Sequence, residues 1–183
     1  MPIPPHWAFL IADSGVRAEK SGGAREEYNA RRAAGSAALA RLGLASYFGA
    51  TPDMAERLED RLEHDAFLHI TTEETRVRRA VQALGQDDLA RFGELLVDSH
   101  ASLRHRLRVS CPELDRLVKT ALRHGAGGAR LTGAGFGGSV VIACERDRVA
   151  QLRAAIPNAV EAEPGNGARM GVPEARPTGG LPY

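Results

Sequence analysis

The sequence predicts an α+β domain in which a small, mainly antiparallel sheet carries helices packed on one face. Three observations predict this class. A continuous apolar run lies near the N-terminus, the middle of the chain repeats apolar residues at helical spacing, and two segments rich in strand formers flank a glycine loop. We assign residues 1–163 to this domain. Residues 164–183, dominated by glycine and proline, are expected to form a poorly ordered tail.

The N-terminal part of the domain predicts a strand followed by a helix. The run from Trp7 to Ala12 is typical of a central strand buried on both faces, since it is continuously apolar and ends at Asp13-Ser14-Gly15. Because no partner strand precedes it, we expect a further segment upstream. Residues 24–42 predict a helix, since Ala, Arg and Glu favour that conformation, and Gly43 is placed to end it.

Start signals for helices recur through the middle of the chain. They are Thr51-Pro52-Asp53 for a short helix to about Leu62, Thr71 with Glu74 as a capping box for a helix ending at Gly85, Asp88 for a helix to about Arg106, and Ser110 with Glu113 as a second capping box. After these helices we expect strands at residues 129–132 and 139–144, a helix at 147–156 and a short strand at 159–162.

Composition and charge exclude several classes of function. Lys plus Arg number 24 against 23 for Asp plus Glu, and this balance argues against a general nucleic-acid binder. No apolar run approaches the roughly 20 residues that a membrane span requires, and the N-terminus lacks the regions of a signal peptide, so we expect a cytoplasmic protein. Cys111 and Cys144 form no CxxC pair and are expected to be reduced thiols.

The glycine loop between the two later strands is the most informative segment for function. Four of the six residues from 133 to 138 are glycine, which permits positive φ and lets another molecule approach the backbone closely. Consecutive free N–H groups in such a turn can bind an anion such as phosphate. The loop is neither a Walker A motif nor a dinucleotide fingerprint, because it lacks the Gly-Lys-Ser/Thr and precedes a strand. From spacing alone, a phosphate-facing loop and a tight turn without a ligand both remain open.

Four blocks of sequence resemble the GHMP kinases in their galactokinase form, in the expected order. They are Gly128-Ala129-Arg130-Leu131-Thr132-Gly133-Ala134-Gly135-Phe136-Gly137-Gly138, which resembles the third family motif, together with Glu27-Tyr28-Asn29-Ala30-Arg31-Arg32, residues 92–104 and residues 109–115. The resemblance extends from about Trp7 to Pro164.

The resemblance implies a kinase that moves the γ-phosphoryl group of ATP to a sugar hydroxyl with magnesium. It assigns the phosphate and nucleotide to the loop residues Gly133, Ala134, Gly135, Phe136, Gly137 and Gly138. It assigns the sugar to Tyr28, for which packing in the core is the open alternative. Ser99 and His100 also match a family block, and helix packing is the preferred explanation for both.

Nothing in the sequence resembles the first two family motifs, so we expect no catalytic residue and no metal ligand in this chain. Asp13 follows the first predicted strand and does not inherit the role of the family's catalytic aspartate. The histidines His6, His64 and His69 have no partner acid at a useful spacing.

Three hypotheses follow from that departure. The chain is a half of a kinase whose chemistry requires a separate N-terminal half, or a non-catalytic sugar- or nucleotide-binding module, or a domain without a ligand that self-associates through its sheet. The blocks favour galactokinases over mevalonate and homoserine kinases, while Asp13-Ser14-Gly15-Val16 leaves other aldoses or uronic acids open as the substrate.

Overall fold

In the residues that the structure describes, four strands form one antiparallel sheet. The computed structural model describes residues 2–17, 23–163 and 165. The strands are β1 (Trp7–Asp13), β2 (Gly128–Thr132), β3 (Ser139–Glu145) and β4 (Ala159–Ala162), and they lie in the order β2-β3-β1-β4. Every adjacent pair is antiparallel. The α+β prediction is confirmed. The tail predicted at 164–183 lies outside the described residues apart from Gly165.

Helices fill most of the chain between the first two strands. The α-helices of the described residues are α1 (Gly23–Leu42), α2 (Arg61–Gly85), α3 (Leu89–Ser102), α4 (Pro112–Arg123) and α5 (Val149–Ala155). Two 3-10 segments lie at Pro52–Arg57 and Arg146–Arg148, and a π-helical turn continues α3 at Leu103–Leu107.

Strand β1 runs through the middle of the sheet, between β3 and β4. On one face its side chains Ala8, Leu10 and Ala12 are at most 2% exposed. On the other face Phe9 and Ile11 are only partly buried. The strand is therefore central, as its apolar sequence predicts, but one face is covered completely and the other in part.

Helices α4 and α5 cover the first face of the sheet. Leu114 and Val118 of α4 and Leu152 of α5 pack with Leu131 and Ile142 of the strands in one apolar core. Burial of a side chain of this size contributes about 1.5–3 kcal/mol. This core therefore provides the helix-on-sheet layer that the sequence predicts.

Helix α3 lies along the edge strand β2 and reaches one corner of the second face. The ring of Phe92 lies 5.4 Å from the ring of Trp7 and 6.0 Å from that of Phe9, centroid to centroid. At the far edge of the same face, Val160 of β4 is 65% exposed. The partial cover explains why the second face of β1 is only half-buried.

Glycines allow α3 and β2 to touch through their backbones. A Cβ atom on Gly93 of α3 would overlap the carbonyl oxygen of Gly127, and one on Gly128 would overlap the backbone of Gly93. Side chains at these positions would push the helix away from the strand.

Helix α2 is longer than predicted. It is a single helix of 25 residues that begins after Asp60, whose side chain accepts hydrogen bonds from the amides of Leu62 and Glu63 at 2.9 Å. The predicted capping box at Thr71 is wrong, because the Thr71 hydroxyl donates to the carbonyl of Phe67 within the helix, at 2.9 Å. A threonine hydroxyl can satisfy itself in this way in the middle of a helix.

The second predicted capping box, at Ser110, is also wrong. Helix α4 begins at Pro112, and its N-cap residue Cys111 makes no side-chain capping bond. The Ser110 hydroxyl instead donates to Oδ1 of Asp115 at 2.6 Å. The capping-box pattern correctly located the start of α4. The Ser110 hydroxyl, however, binds the side chain of Asp115 in the first helical turn.

A polar network joins α2 to α3 and β2. The Ser99 hydroxyl donates to Oε2 of Glu73 at 2.9 Å, and Arg76 and Arg130 pair with the same carboxylate. Burial raises the pKa of Glu73, but the hydrogen bonds from Arg76 and Ser99 outweigh burial and hold the pKa below its usual 4.5. The position of Ser99 agrees with a helix-packing role.

Among the helices of the described residues, none combines the length and the apolar composition needed to cross a lipid bilayer.

Gly93→Ala is expected to destabilise the domain. Alanine favours a helix, but its Cβ atom would overlap the Gly127 carbonyl, so we expect unfolding free energy to fall by about 2 kcal/mol or more. Urea unfolding followed by circular dichroism measures this change. Gly23→Ala, in α1 with nothing within 4 Å of its Cβ, is the matched control. Equal stability of the two variants would contradict the close contact.

Removal of the His69 ring is expected to flatten the acid sensitivity of the fold. His69 is buried, and its Nδ1 lies 2.9 Å from the Ser102 hydroxyl. Burial lowers the pKa of His69 from 6.5 to about 4, against the opposing effect of Glu73. As pH falls through that interval, the unfolded chain takes up a proton that the folded chain does not. Stability is therefore lost between those values, by on the order of 3 kcal/mol.

Urea unfolding at a series of pH values tests this prediction. The wild type should lose stability across the interval, and His69→Leu should lose less. The same slope in both proteins would show that another group controls the acid response.

Candidate functional site

A cleft of about 450 Å³ opens between α1, the segment that ends α3 and the tip of the glycine loop. Tyr28 lines it from α1, and Gly133 and Ala134 line it from the loop. These positions are more than a hundred residues apart in the chain, yet both were singled out from the sequence. The fold brings the residue predicted to bind sugar and part of the loop predicted to bind phosphate to one cavity.

One face of α1 forms the wall of this cleft. Tyr28, Arg31, Arg32 and Gly35 all line it, at the spacing that places side chains on one side of a helix. Tyr28 is 39% exposed, so it is not a core residue. Its ring is therefore accessible to a ligand in the cleft.

Arg31 fastens that wall to the opposite side. Its Nε donates to the carbonyl of Leu107 at 2.9 Å, and its Nη2 lies 3.0 Å from Oε2 of Glu27. The Arg31 side chain is only 16% exposed, whereas Arg32 is exposed. Sequence reasoning assigned no role to either arginine, although their spacing from Tyr28 was a signal that they share its face.

Tyr47 closes the inner end of the cleft. Its hydroxyl donates to the carbonyl of Gly35 at 2.8 Å, and burial raises the pKa of that hydroxyl. Sequence reasoning missed Tyr47, which follows the end of α1 in a loop without a periodic pattern.

The glycine loop connects β2 to β3, so it leads into a strand, as predicted. Its backbone is left-handed through most of its length, with positive φ at Gly133 (87°), Gly135 (83°), Phe136 (59°), Gly137 (131°) and Gly138 (80°). Glycine adopts this conformation without steric cost, whereas Phe136 adopts it at a cost.

The inner half of the loop is held by backbone contacts. The amide of Phe136 donates to the Val109 carbonyl at 2.6 Å, and the amide of Gly138 donates to the Val16 carbonyl at 3.0 Å. Gly135 is buried against the first carbonyl, with no room for a Cβ atom. The amides of Phe136 and Gly138 therefore bond within the fold, while the phosphate contact assigned to residues 133–138 stays a prediction.

The outer half of the loop is free to meet a ligand. Gly133 and Ala134 are exposed, and within the described part of the chain neither amide donates to a protein acceptor. A Cβ atom on Gly133 would meet nothing within 4 Å. The tip thus lines the cleft with two adjacent residues whose N–H groups have no recorded acceptor among the described residues, and adjacent free N–H groups can bind anions.

The segment after β1 lies directly beside the loop. The amide of Ser14 donates to the Gly138 carbonyl at 2.8 Å. The carboxylate of Asp13 accepts the amide of Gly15 at 2.7 Å and so closes the turn at the end of the strand. This contact gives Asp13 a structural role at the end of β1.

The three histidines that were set aside do not line the cleft. The prediction that none has a partner acid is wrong for two of them, because His6 pairs with Asp87 and His64 lies beside Asp65, while His69 is buried against Ser102. No group of three His, Cys, Asp or Glu side chains that could hold a metal ion occurs among the residues described.

Comparison with known proteins places this geometry in a family. Residues 80–162 match the family model described as GHMP kinases C terminal. The galactokinase of Streptomyces coelicolor is 39% identical over 177 residues, an alignment that covers 88% of this chain and 45% of the relative.

Two solved structures share the fold. Lactococcus lactis galactokinase, complexed with galactose, matches with a TM-score of 0.78 at 28% identity and covers 88% of this chain and 46% of its own. L. major mevalonate kinase, in complex with R-mevalonate, matches with a TM-score of 0.56 at 25% identity, over 82% of this chain and 38% of its own.

The chain spans less than half the length of the relatives it matches, 45% for the Streptomyces coelicolor galactokinase. The family model covers α3 to β4 with the glycine loop, and the fold of the Lactococcus lactis galactokinase matches 88% of this chain. The chain belongs to the GHMP kinase family, as a C-terminal domain of the galactokinase-like form.

Proposed function

We propose that this chain is the C-terminal half of a sugar kinase, which transfers the γ-phosphoryl group of ATP to a hydroxyl of a galactose-like sugar. One observation carries the proposal: Tyr28 and the amides of Gly133 and Ala134 line the same cleft. A phenol that can hydrogen-bond a hydroxyl therefore lies in one cavity with an anion-binding turn. Phosphoryl transfer requires both groups to be held together.

The loop tip fits the phosphates of ATP. Two adjacent backbone amides, without an acceptor among the described residues, can donate to phosphate oxygens, and the exposed Arg32 on the same cleft adds a positive charge. When bound, ATP supplies the phosphoryl group. For magnesium we assign no ligand, because no suitable cluster occurs among the residues described.

The proposal includes a contribution from outside this chain. Among the described residues that line the cleft, none carries a carboxylate or an imidazole that could take a proton from a sugar hydroxyl. Phosphoryl transfer also requires further positive groups at the phosphates. We therefore propose that a second portion of the kinase supplies these groups, and that this chain alone binds without turnover.

A non-catalytic sugar- or nucleotide-binding module is the second candidate. It is favoured by the fact that the described residues lining the cleft offer hydrogen-bond donors to a ligand but no carboxylate or imidazole. Self-association through the sheet is also a proposal, and the exposed Val160 marks the surface concerned. Calorimetry of the chain with galactose and with ATP-magnesium, beside a kinase assay with and without the N-terminal half, separates kinase half from module. Turnover only in the paired sample supports the kinase half, and heat without turnover in either sample supports the module.

Tyr28→Phe is expected to weaken sugar binding selectively. Loss of the hydroxyl removes one hydrogen bond to the sugar and should raise the KM for galactose about three- to tenfold, with the KM for ATP unchanged. Steady-state kinetics of the paired kinase measure both constants. A change only in the KM for ATP, or no change, would contradict the sugar-binding role of Tyr28.

Gly133→Asp is expected to weaken nucleotide binding selectively. The added carboxylate would extend into open space at the loop tip and repel phosphate, raising the KM for ATP by roughly tenfold. Gly133→Asn is the matched control, because asparagine has the same shape without the charge and also tolerates positive φ. If the two variants have the same KM for ATP, the tip does not lie near the phosphates.

A further inference from the structure

His100 lies where three segments of the domain meet. It is near the end of α3, its residue is 6% exposed, and it faces the outer edge of β2 and the first turn of α4. Family resemblance assigned it no chemical role, and the sequence favoured simple helix packing. The hydrogen bonds indicate a more specific task.

The ring of His100 satisfies a backbone group at the entry of the glycine loop. The amide of Leu131 points away from β3 and donates to Nδ1 of His100 at 3.3 Å. A backbone amide can only donate, so Nδ1 carries no proton and the ring is neutral with its proton on Nε2. That Nε2–H donates to Oδ1 of Asp115 at 3.2 Å. Without this ring the buried Leu131 amide would have no acceptor.

Asp115 also connects this ring to the middle of the loop. Its carboxylate accepts the Ser110 hydroxyl at 2.6 Å and pairs with Nε of Arg104 at 2.8 Å. The residue before Ser110 is Val109, whose carbonyl accepts the Phe136 amide at 2.6 Å. One carboxylate therefore orients the contacts at both the entry and the inner half of the loop.

We propose that His100 is a positioning residue of the glycine loop, which acts with Asp115 to hold the exposed tip at the cleft. This inference rests on the proposed function for its consequence, nucleotide binding, but the positioning itself is a property of the fold. Neutral His100 holds the Leu131 amide, whereas a protonated ring would place an N–H group against it. The loop is then anchored firmly only while the ring is neutral.

Burial of the ring favours neutral His100 near pH 7. Burial lowers the pKa of His100 below 6.5, Asp115 of α4 opposes that effect, and the cations Arg104 and Arg130 add to it. Acidification below that pKa should therefore loosen the entry of the loop.

Amide hydrogen exchange of the full chain tests the proposal, with His100→Leu, His100→Gln and His69→Leu as variants. Leucine removes both hydrogen bonds, glutamine offers an acceptor and a donor in their place, and His69 is the other buried histidine of the α2–α3 pair. The measured quantity is the exchange rate of the Leu131 and Phe136 amides divided by that of Ile142, in the centre of the sheet. Division by the Ile142 rate removes the intrinsic pH dependence of exchange and any change in stability that the three amides share.

In His100→Leu the ratio is expected to rise about tenfold, and in His100→Gln it should stay within about threefold of the wild type. His69→Leu should lower overall stability but leave the ratio unchanged. In the wild type the ratio should rise as pH falls below the pKa of His100, and in His100→Gln it should not. An unchanged ratio in His100→Leu, or an equal rise in His69→Leu, would show that His100 contributes only to helix packing, and would overturn the proposal.

Should the leucine variant fail to fold, the pH series of wild type against His100→Gln still decides, since identical profiles overturn the proposal. Titration of the chain with ADP, monitored through the signals of the loop amides, distinguishes a failure of nucleotide binding from a failure of positioning by His100. If the wild type does not bind ADP while the exchange results hold, positioning by His100 stands and nucleotide binding by the chain fails. If ADP binds, affinity should fall about tenfold in His100→Leu and be restored in His100→Gln.

Discussion

Direct contact between backbone segments, with no side chain between them, determines the shape of the glycine loop and the cleft beside it. Gly135 lies against the carbonyl of Val109, and Gly137 lies against that of Val16, where a Cβ atom would overlap in either case. The carbonyls come from the segment after α3 and the segment after β1. Three distant parts of the chain therefore meet only because these positions are glycine.

This construction bears on the cost of binding a ligand. A loop rich in glycine loses much conformational entropy when it is ordered, on the order of 1–2 kcal/mol for each residue. In this domain the fold has already ordered the inner half, through the Phe136 and Gly138 amides, and Phe136 even accepts a left-handed backbone. The exposed tip is thus displayed from a fixed base, and little further ordering opposes its contacts with an anion.

Local sequence patterns predicted which helices and strands occur better than they predicted where these elements end or which of them come into contact. The run Trp7 to Ala12 predicted a central strand because burial on a sheet requires an apolar sequence whatever its neighbours are. The prediction of α2 placed a helix start at Thr71, which was wrong. A threonine hydroxyl can form a hydrogen bond either at a helix cap or, as here, with the carbonyl of Phe67 inside a helix. The cleft could not be predicted from spacing, because Tyr28 and Gly133 come to one cavity only through the packing of α1 against α2 and the bond from Arg31 to the segment after α3. The link from His100 to Leu131 escaped for the same reason, as it depends on which edge of β2 faces α3.

The charged groups that line the cleft suit one part of phosphoryl transfer, the binding of an anion. Arg31 is fixed by the Leu107 carbonyl and Glu27, Arg32 is exposed, and the loop tip adds two amide donors. Such a surface attracts and orients anions but offers no group that accepts a proton among the described residues lining it. On the proposed function, the acid–base and metal chemistry therefore belongs to groups that face this cleft from elsewhere in the kinase. On that proposal, the described residues that line this side of the cleft carry no carboxylate, whose charge would oppose the binding of ATP.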